Sequence, residues 1–539
     1  MQDSTEFSID VPADFNFAFD VIDERATTDR NRLAMLWVNE QGEERRITYR
    51  DLSVESNKYA NYFLSKGIKK GDRVMLMLSR IPEWWFCVVG LMKVGAIFCP
   101  SAVSLTSKDL KYRCESGDIK MVIANESNVA KFDEIRAEVP MVEHFVAMET
   151  NEHTAATWDD LHDEIHKQSH VLAERPTTHQ DDEMLIYFTS GTTGYPKMVM
   201  HRQSYALAHR ATAKYWYDLN SNDIQWTITD TGWAKAAWGA LFSQWNSGAT
   251  VFLYEYQGRF DGDIILSLIE KYGITIFCAP PTAYRMLILE KFENYDFSGL
   301  RRCLSAGEPL NPEVIDAWQK GTNLGIYEGF GQTETICVIS TSPSMEAKSG
   351  AIGKPVPLYE IDVLDDDLNS CDVEQEGHVA IKVKPVHPIG IFDGYVANDK
   401  ANQKCFVGDW YLTGDKAYKD EDGYFWFVGR SDDVIKSSGY RIGPFEVESA
   451  LIEHPAVIES AVIGVPDELK GQVVKAFIVL GEGYTASDEL AVEIKDHVAK
   501  VTAPFKKPKY VQFVTELPKT VSGKIRRVEL RQQHQTDEA

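Results

Sequence analysis

Tyr187-Phe-Thr-Ser-Gly-Thr-Thr-Gly-Tyr-Pro-Lys197 runs from an apolar lead-in, Met184 to Phe188, straight into a loop of hydroxyls and glycines that ends on a lysine. The lead-in reads as a buried strand. The loop offers hydroxyls and unhindered backbone N–H groups, and Lys197 adds a point charge, so the segment suits phosphate oxygens. It is not a Walker loop, because Gly191 and Gly194 enclose two residues rather than four and Pro196 precedes the lysine. Taken alone, the same composition also fits a solvated linker.

Outward from this loop the chain alternates strand and helix patterns. Arg73-Val-Met-Leu-Met-Leu78 reads as a buried strand, a helix opens at Pro82 and ends near Gly95, and Ala96 to Cys99 resumes a strand. Thr250 to Tyr254, a helix from Asp261 to Tyr272, and Ile274 to Cys278 repeat the cycle, with Gly273 at the helix end. The expected fold class is α/β, with two helix-covered, mainly parallel sheets. Residues 350–430 change to short strands with turn punctuation, expected as a small β-barrel or antiparallel sheet. Asp365-Asp-Asp367 and Asp420-Glu-Asp422 then read as hairpin turns rather than calcium loops. From Asp432 onward an α+β unit is expected: a helix from Pro444 to Glu453, strands Ser460 to Val465 and Val473 to Val479, a helix from Ser487 to Lys500, and a strand near Tyr510. The division is thus 1–431 and 432–539, the second part large enough to fold separately.

Composition narrows the function. At 539 residues several packed units are expected. No run of 18 apolar residues occurs and the N-terminus is acidic, so neither a membrane span nor a secretory signal is expected, and the localisation expected is cytoplasmic. The eight cysteines show no Cys-x-x-Cys spacing, which points to reduced thiols. A formal charge of −25 argues against a nucleic-acid partner. Against that charge, residues 500–531 hold nine Lys/Arg and two Glu, either a local site for anionic ligands or a solvated tail.

Five stretches in order, Asp182 to His201, Tyr327-Glu-Gly-Phe-Gly-Gln-Thr-Glu334, Tyr411-Leu-Thr-Gly-Asp415, Gly429-Arg-Ser-Asp432 leading into Ser437-Ser-Gly-Tyr-Arg441, and Pro518-Lys-Thr-Val-Ser-Gly-Lys524, resemble the signatures of the adenylate-forming (AMP-binding) superfamily. Within it the chain looks most like the medium-chain acyl-CoA synthetases, including archaeal and bacterial members. The resemblance implies ATP, Mg²⁺ and coenzyme A as reaction partners, a large N-terminal and a small mobile C-terminal domain hinged at Asp432, and activation of a small carboxylic acid as its adenylate before transfer to the thiol.

Residue by residue, it implies that Thr189, Ser190, Gly191, Thr192, Thr193, Gly194 and Lys197 hold the β- and γ-phosphates. Thr333 lies near the α-phosphate and Glu334 takes the metal. Gly307, Glu308 and Pro309, with Glu328 and Gly329, form the adenine-binding segments, and Phe330, Gly331 and Gln332 also belong to the nucleotide site. Asp415 binds the ribose hydroxyls beside Arg430, Arg441 contacts phosphate, and Lys524 brings its ammonium to the reacting carboxylate. Ser438, Gly439, Tyr440, Lys470, Lys507 and Lys509 are implied for coenzyme A. Trp216, Trp233, Lys235, Trp238, Cys278 and Gly331 fall at the acyl pocket, with Trp233 as its gate.

Gly331 stands where acetate-specific relatives carry tryptophan, and a missing indole frees roughly 150–250 Å² of contact. A short-to-medium or branched acid is therefore expected, although Trp216 and Trp238 equally suit ordinary core packing. Aryl acids, transfer to a separate carrier protein, luciferase-type oxidation and a non-catalytic nucleotide-binding role stay open, as does the choice between monomer and homodimer.

Overall fold

A computed structural model describes residues 7–189, 196–256, 258, 260–437, 440–467, 469–519 and 524–537; the side chains of Arg441 and Asp537 also lie outside that description. The strand Arg73–Met77 and the helix Pro82–Val94 form as their sequence reads: proline opens the helix and Gly95, at φ 76°, closes it in the left-handed region. That helix is apolar around its circumference and buried along nearly all of it, inside a core shared by strands of both large sheets.

The first sheet has seven strands in the order Asp159–Asp160, His144–Ala147, Met121–Ala124, Arg73–Met77, Ile97–Pro100, Glu183–Thr189, Lys197–Arg202. It is parallel until its last pair, where Glu183–Thr189 turns back antiparallel on Lys197–Arg202. The second sheet has fourteen strands. Its parallel block runs Ile326–Gly331, Arg302–Ala306, Ile276–Ala279, Ile224–Thr227, Thr250–Glu255, Leu33–Asn39, and Glu44–Thr48 adds an antiparallel edge. Between Thr250–Glu255 and Ile276–Ala279 lies the expected helix, Gly262–Lys271, capped by the Asp261 carboxylate on the Ile264 amide.

Residues 350–430 supply antiparallel strands, as their turn punctuation implies, in open form. Ala351–Pro355 is paired with Cys337–Ser340 on one edge and Phe425–Arg430 on the other. It has no free edge to meet Ile361–Leu364, so the segment extends the second sheet instead of closing into a barrel. Both acidic triplets are turns: Asp365 accepts the amides of Asp367 and Asn369, and Asp420 those of Asp422 and Tyr424.

After Asp432 the hairpin Val457–Asp467 and Gly471–Leu480, with Tyr510–Phe513 alongside, packs the helices Pro444–Ile452 and Asp488–Val501 around a core of its own. The helix Arg527–Asp537 covers a second small cluster through Leu530. Among the described residues no helix is long and apolar enough to cross a membrane.

Candidate active site

The antiparallel pair that ends the first sheet sets Thr189 directly opposite Lys197, at the two feet of the hydroxyl-rich loop. Ser190, Gly191, Thr192, Thr193 and Gly194 lie outside the described residues. Lys197 is half-buried with its Nζ 3.9 Å from the centroid of the Tyr395 ring. Burial pulls its ammonium below the usual lysine range, and the nearby Glu334 carboxylate opposes the shift. The Tyr395 hydroxyl donates to Glu334 Oε1 at 2.7 Å. The main chain beside that carboxylate is fixed from two sides: Phe392 N–H donates to the Glu334 carbonyl at 2.9 Å, and His201 Nε2 meets the Thr333 carbonyl at 2.7 Å. Burial lowers the His201 imidazole to about 4, so a neutral ring donates that bond.

A second cluster gathers at the antiparallel extension. Asp415 sits opposite Arg430 in the ladder, and the guanidinium reaches its Oδ1 at 3.2 Å. Gln332 donates to the Thr413 carbonyl at 2.9 Å and to the Asp415 carboxylate, while its own oxygen accepts from Tyr411 at 2.8 Å. Burial raises the Asp415 carboxyl, and Arg430 and Lys524 pull it back down. The Lys524 ammonium acts in the same way on Glu308, also raised by burial, and lowers Lys235, whose own burial is the larger cause. A residue near the C-terminus thus shares one electrostatic neighbourhood with groups at positions 235, 308 and 415.

Gly307 takes φ +108°, with open space where a side chain would point. Behind it, Glu328 is buried and accepts the Leu310 amide at 2.9 Å, its carboxyl pushed up to about 8 by burial. The Glu328 side chain therefore holds the main chain at the residue that follows Gly307–Pro309. Phe330 lies partly buried on the same strand.

The residues expected at the acyl pocket form a tighter arrangement than the missing tryptophan at 331 suggests. A Cβ on Gly331 would fall 2.5 Å from Trp238 Cη2 and 2.2 Å from the Ile336 carbonyl oxygen; one on Gly329 would fall 2.5 Å from Trp216 Cε2. Each glycine seats an indole, and the two indoles meet edge-on at 6.4 Å. Contact area freed at position 331 is thus taken by Trp238 from within the chain. Trp216 also donates to the Tyr327 carbonyl at 3.2 Å. Lys235, in the helix Ala234–Gly239, donates to the Ala306 carbonyl at 2.7 Å. Trp233 precedes that helix, partly exposed, and packs, as Phe188 and Val396 do, against the buried cluster that includes Met198 and Met200. Cys278 is fully buried, and burial raises its thiol.

On the smaller lobe, Tyr440 stacks on Phe505 at 4.1 Å and 11° and stays half-exposed. Ser438, Gly439 and the Arg441 side chain lie outside the description. Lys509 is 2.6 Å from Asp467, Lys507 pairs with Asp496, and the Lys470 amide bonds to Asp467 at 2.9 Å. Two of the three lysines are thus already neutralised by carboxylates. At the expected hinge position, Asp432 Oδ1 is 4.0 Å from Arg430 Nε. The next residue, Asp433, faces Arg527 at 3.7 Å and bonds to Arg531, one turn later in the same helix. Arg527 also grips Glu448 with two bonds of 2.7 and 2.8 Å. Between the lobes, Asn311 Nδ2 donates to Ser449 Oγ at 3.0 Å.

Tyr395 and Asn311 were not singled out by sequence reasoning, and His201 closed the stretch Asp182 to His201 without a role of its own. Their partners lie 61, 138 and 132 residues away, and no local periodicity marks such contacts.

The model for AMP-binding enzyme matches residues 22–396, and that for AMP-binding enzyme C-terminal domain matches 446–524. The mitochondrial acyl-coenzyme A synthetase ACSM3 of Mus musculus is 44% identical, over 98% of this chain and 92% of its own. The human mitochondrial acyl-coenzyme A synthetase ACSM5 is likewise 44% identical, over 97% and 91%. Among solved structures, the anthranilate CoA ligase AuaEII in complex with anthranoyl-AMP superposes with a TM-score of 0.89 at 32% identity, covering 98% of this chain and 99% of that one.

Proposed function

We propose a function from one premise: this chain belongs to the AMP-binding enzyme family. It is an ATP-dependent acyl-CoA synthetase that joins a carboxylic acid to coenzyme A through an acyl-adenylate, releasing pyrophosphate and then AMP. The observation that carries the mechanism is the buried Asp415 carboxylate, held by Arg430 at 3.2 Å and by the Gln332 amide on the stretch that carries Glu334.

A carboxylate is a poor acyl donor, since its charge repels nucleophiles and oxide leaves badly. Attack on the α-phosphate of ATP makes it a mixed anhydride and crowds negative charge at the reacting centre, so placed cations and donors supply the catalysis. Lys197, with Thr189 and the loop residues Ser190 to Gly194, binds the β- and γ-phosphates. Asp415 accepts the ribose hydroxyls and Arg430 fixes its carboxylate. Lys524 pairs with the acid's carboxylate and the α-phosphate oxygens in the first half-reaction. Glu334 fits a divalent cation: it is a buried carboxylate with one oxygen on Tyr395 and an acceptor face remaining, the oxygen donor that a hard cation takes. Bound there, Mg²⁺ would neutralise phosphate charge.

We place the domain boundary at Asp432. A turn there withdraws Lys524 and brings Ser438, Gly439 and Tyr440 to the site for the thiol step, with Lys470, Lys507, Lys509 and Arg441 toward the coenzyme's phosphates. The acid is short-to-medium or branched, its length limited by Trp238, with Trp233 as the gate. An aryl acid is the second reading, supported by the likeness to an anthranilate CoA ligase. Eight free cysteines suit a reducing compartment, and the cytoplasm is the location we assign.

ATP–pyrophosphate exchange over acetate, butyrate, 2-methylbutyrate, hexanoate and benzoate, with and without coenzyme A, tests the reading. Exchange without coenzyme A and thioester only with it is the expected pattern. Absence of exchange with every acid would sink it.

A further inference from the structure

Tyr395 belongs to none of the stretches that carry the family resemblance, yet it touches both charged groups assigned to the polyphosphate and its cation. Its ring centroid lies 3.9 Å from Lys197 Nζ, and its hydroxyl donates to Glu334 Oε1 at 2.7 Å. Lys197 and Glu334 carry opposite charges in a half-buried site, and among the described residues no direct ion pair joins them.

The tyrosine is held in place by backbone contacts rather than by its ligands. Its N–H donates to Asn402 Oδ1 at 2.7 Å, and its carbonyl accepts from Asn402 Nδ2 at 2.9 Å. It bridges Val199 on the strand that carries Lys197, and Val396 N–H donates to the Met198 carbonyl at 3.0 Å. Gly394, at φ +136°, makes the turn that delivers it, and a Cβ there would crowd Asn402. The ring's edge packs on Phe392 at 4.9 Å.

We propose that Tyr395 is a positioning residue that keeps Lys197 and Glu334 apart, holding the ammonium on its π-face and the carboxylate on its hydroxyl. Opposite charges this close would otherwise fold into a salt bridge that the nucleotide and its cation must break on entry. The tyrosine occupies both with weaker contacts, a cation–π interaction and one hydrogen bond, which incoming phosphate and metal displace more readily. This rests on the assignment of Lys197 and Glu334 to the polyphosphate and its cation.

The test is calorimetric binding of ATP to the full-length enzyme, once with Mg²⁺ and once in EDTA, with ligand-free crystal structures of the variants. Tyr395→Phe keeps the ring and loses the hydroxyl: Kd should rise about threefold to tenfold with Mg²⁺ and change less than twofold in EDTA. Tyr395→Leu loses both: Kd should rise tenfold or more in both conditions, and the crystal should show Lys197 Nζ within ion-pair distance of Glu334. In a Glu334→Gln background, which removes the charge available for collapse, Tyr395→Leu should add less than twofold. Wild-type affinity in Tyr395→Leu with the two groups still apart would overturn the proposal, as would equal losses in both backgrounds. Should Tyr395→Leu fail to fold, Tyr395→Phe decides alone: equal loss with and without Mg²⁺ overturns it. Lys197→Ala and Glu334→Gln that bind MgATP normally would instead remove the site assignment itself, and the proposal with it.

Discussion

The indole of Trp238 occupies the space that a side chain at Gly331 would require, its Cη2 lying 2.5 Å from where a Cβ would be. Trp238→Ala should therefore move the acid preference toward longer chains, each additional buried methylene adding about 0.8 kcal/mol until a new wall is met. Specificity constants across a C2 to C10 acid series check this. An unchanged chain-length profile would make Trp238 a core residue without influence on the acid.

Gly331→Ala is the complementary change. The Ile336 carbonyl, 2.2 Å from the new methyl, is backbone and has little room to retreat. We expect a loss of about 1–3 kcal/mol in stability, as for overpacked cores. Denaturant unfolding measures it, and Trp238→Ala should not repair the part due to the carbonyl.

Several of these features were open to reading and several were not. Strands such as Arg73–Met77 and Ile276–Ala279 show as continuous apolar runs because parallel strands are buried on both faces. The residues assigned to the nucleotide lie in short contiguous stretches at strand ends, which makes them visible as motifs. The sequence around Gly331 shows a side chain missing but not which neighbour fills the gap, since Trp238 comes from a distant helix. Barrel closure was likewise beyond local pattern, because it depends on which edges Ala351–Pro355 has already committed.

Lys524→Ala should separate the two half-reactions. With Lys524 in the electrostatic neighbourhood of Asp415 and Glu308, its loss should slow adenylate formation by at least about a hundredfold, the scale for removing one placed charge at a reacting centre. Thioester formation from premade acyl-adenylate should change little. Equal loss in both assays would defeat the assignment.

The Asn311–Ser449 bond marks where the two lobes touch. Cysteines at both positions, joined by a short bis-maleimide, should allow one round of adenylate formation and stall before transfer to coenzyme A. Multiple turnovers from fully cross-linked enzyme would argue against a turning lobe.

Glu328 gives a pH dependence of stability. Its folded carboxyl titrates at about 8, above the reference 4.5, so its contribution is fully present below 4.5 and is lost as pH rises through about 8. The full shift corresponds to about 5 kcal/mol, of which about 3 is lost between pH 6 and 9. Glu328→Gln keeps an acceptor for the Leu310 amide and carries no charge, so its melting temperature should fall less between pH 6 and 9 than that of the wild type. Parallel curves would show that Glu328 does not titrate in this range.

Arg527 and Arg531 both engage Asp433, one residue beyond Asp432 and on the helix that follows Lys524. In the proposed turn about Asp432, this clasp ties the helix that follows Lys524 to the chain right beside the joint. Breaking that clasp would leave the joint able to swing while its lever slipped, uncoupling the angle turned from the distance delivered.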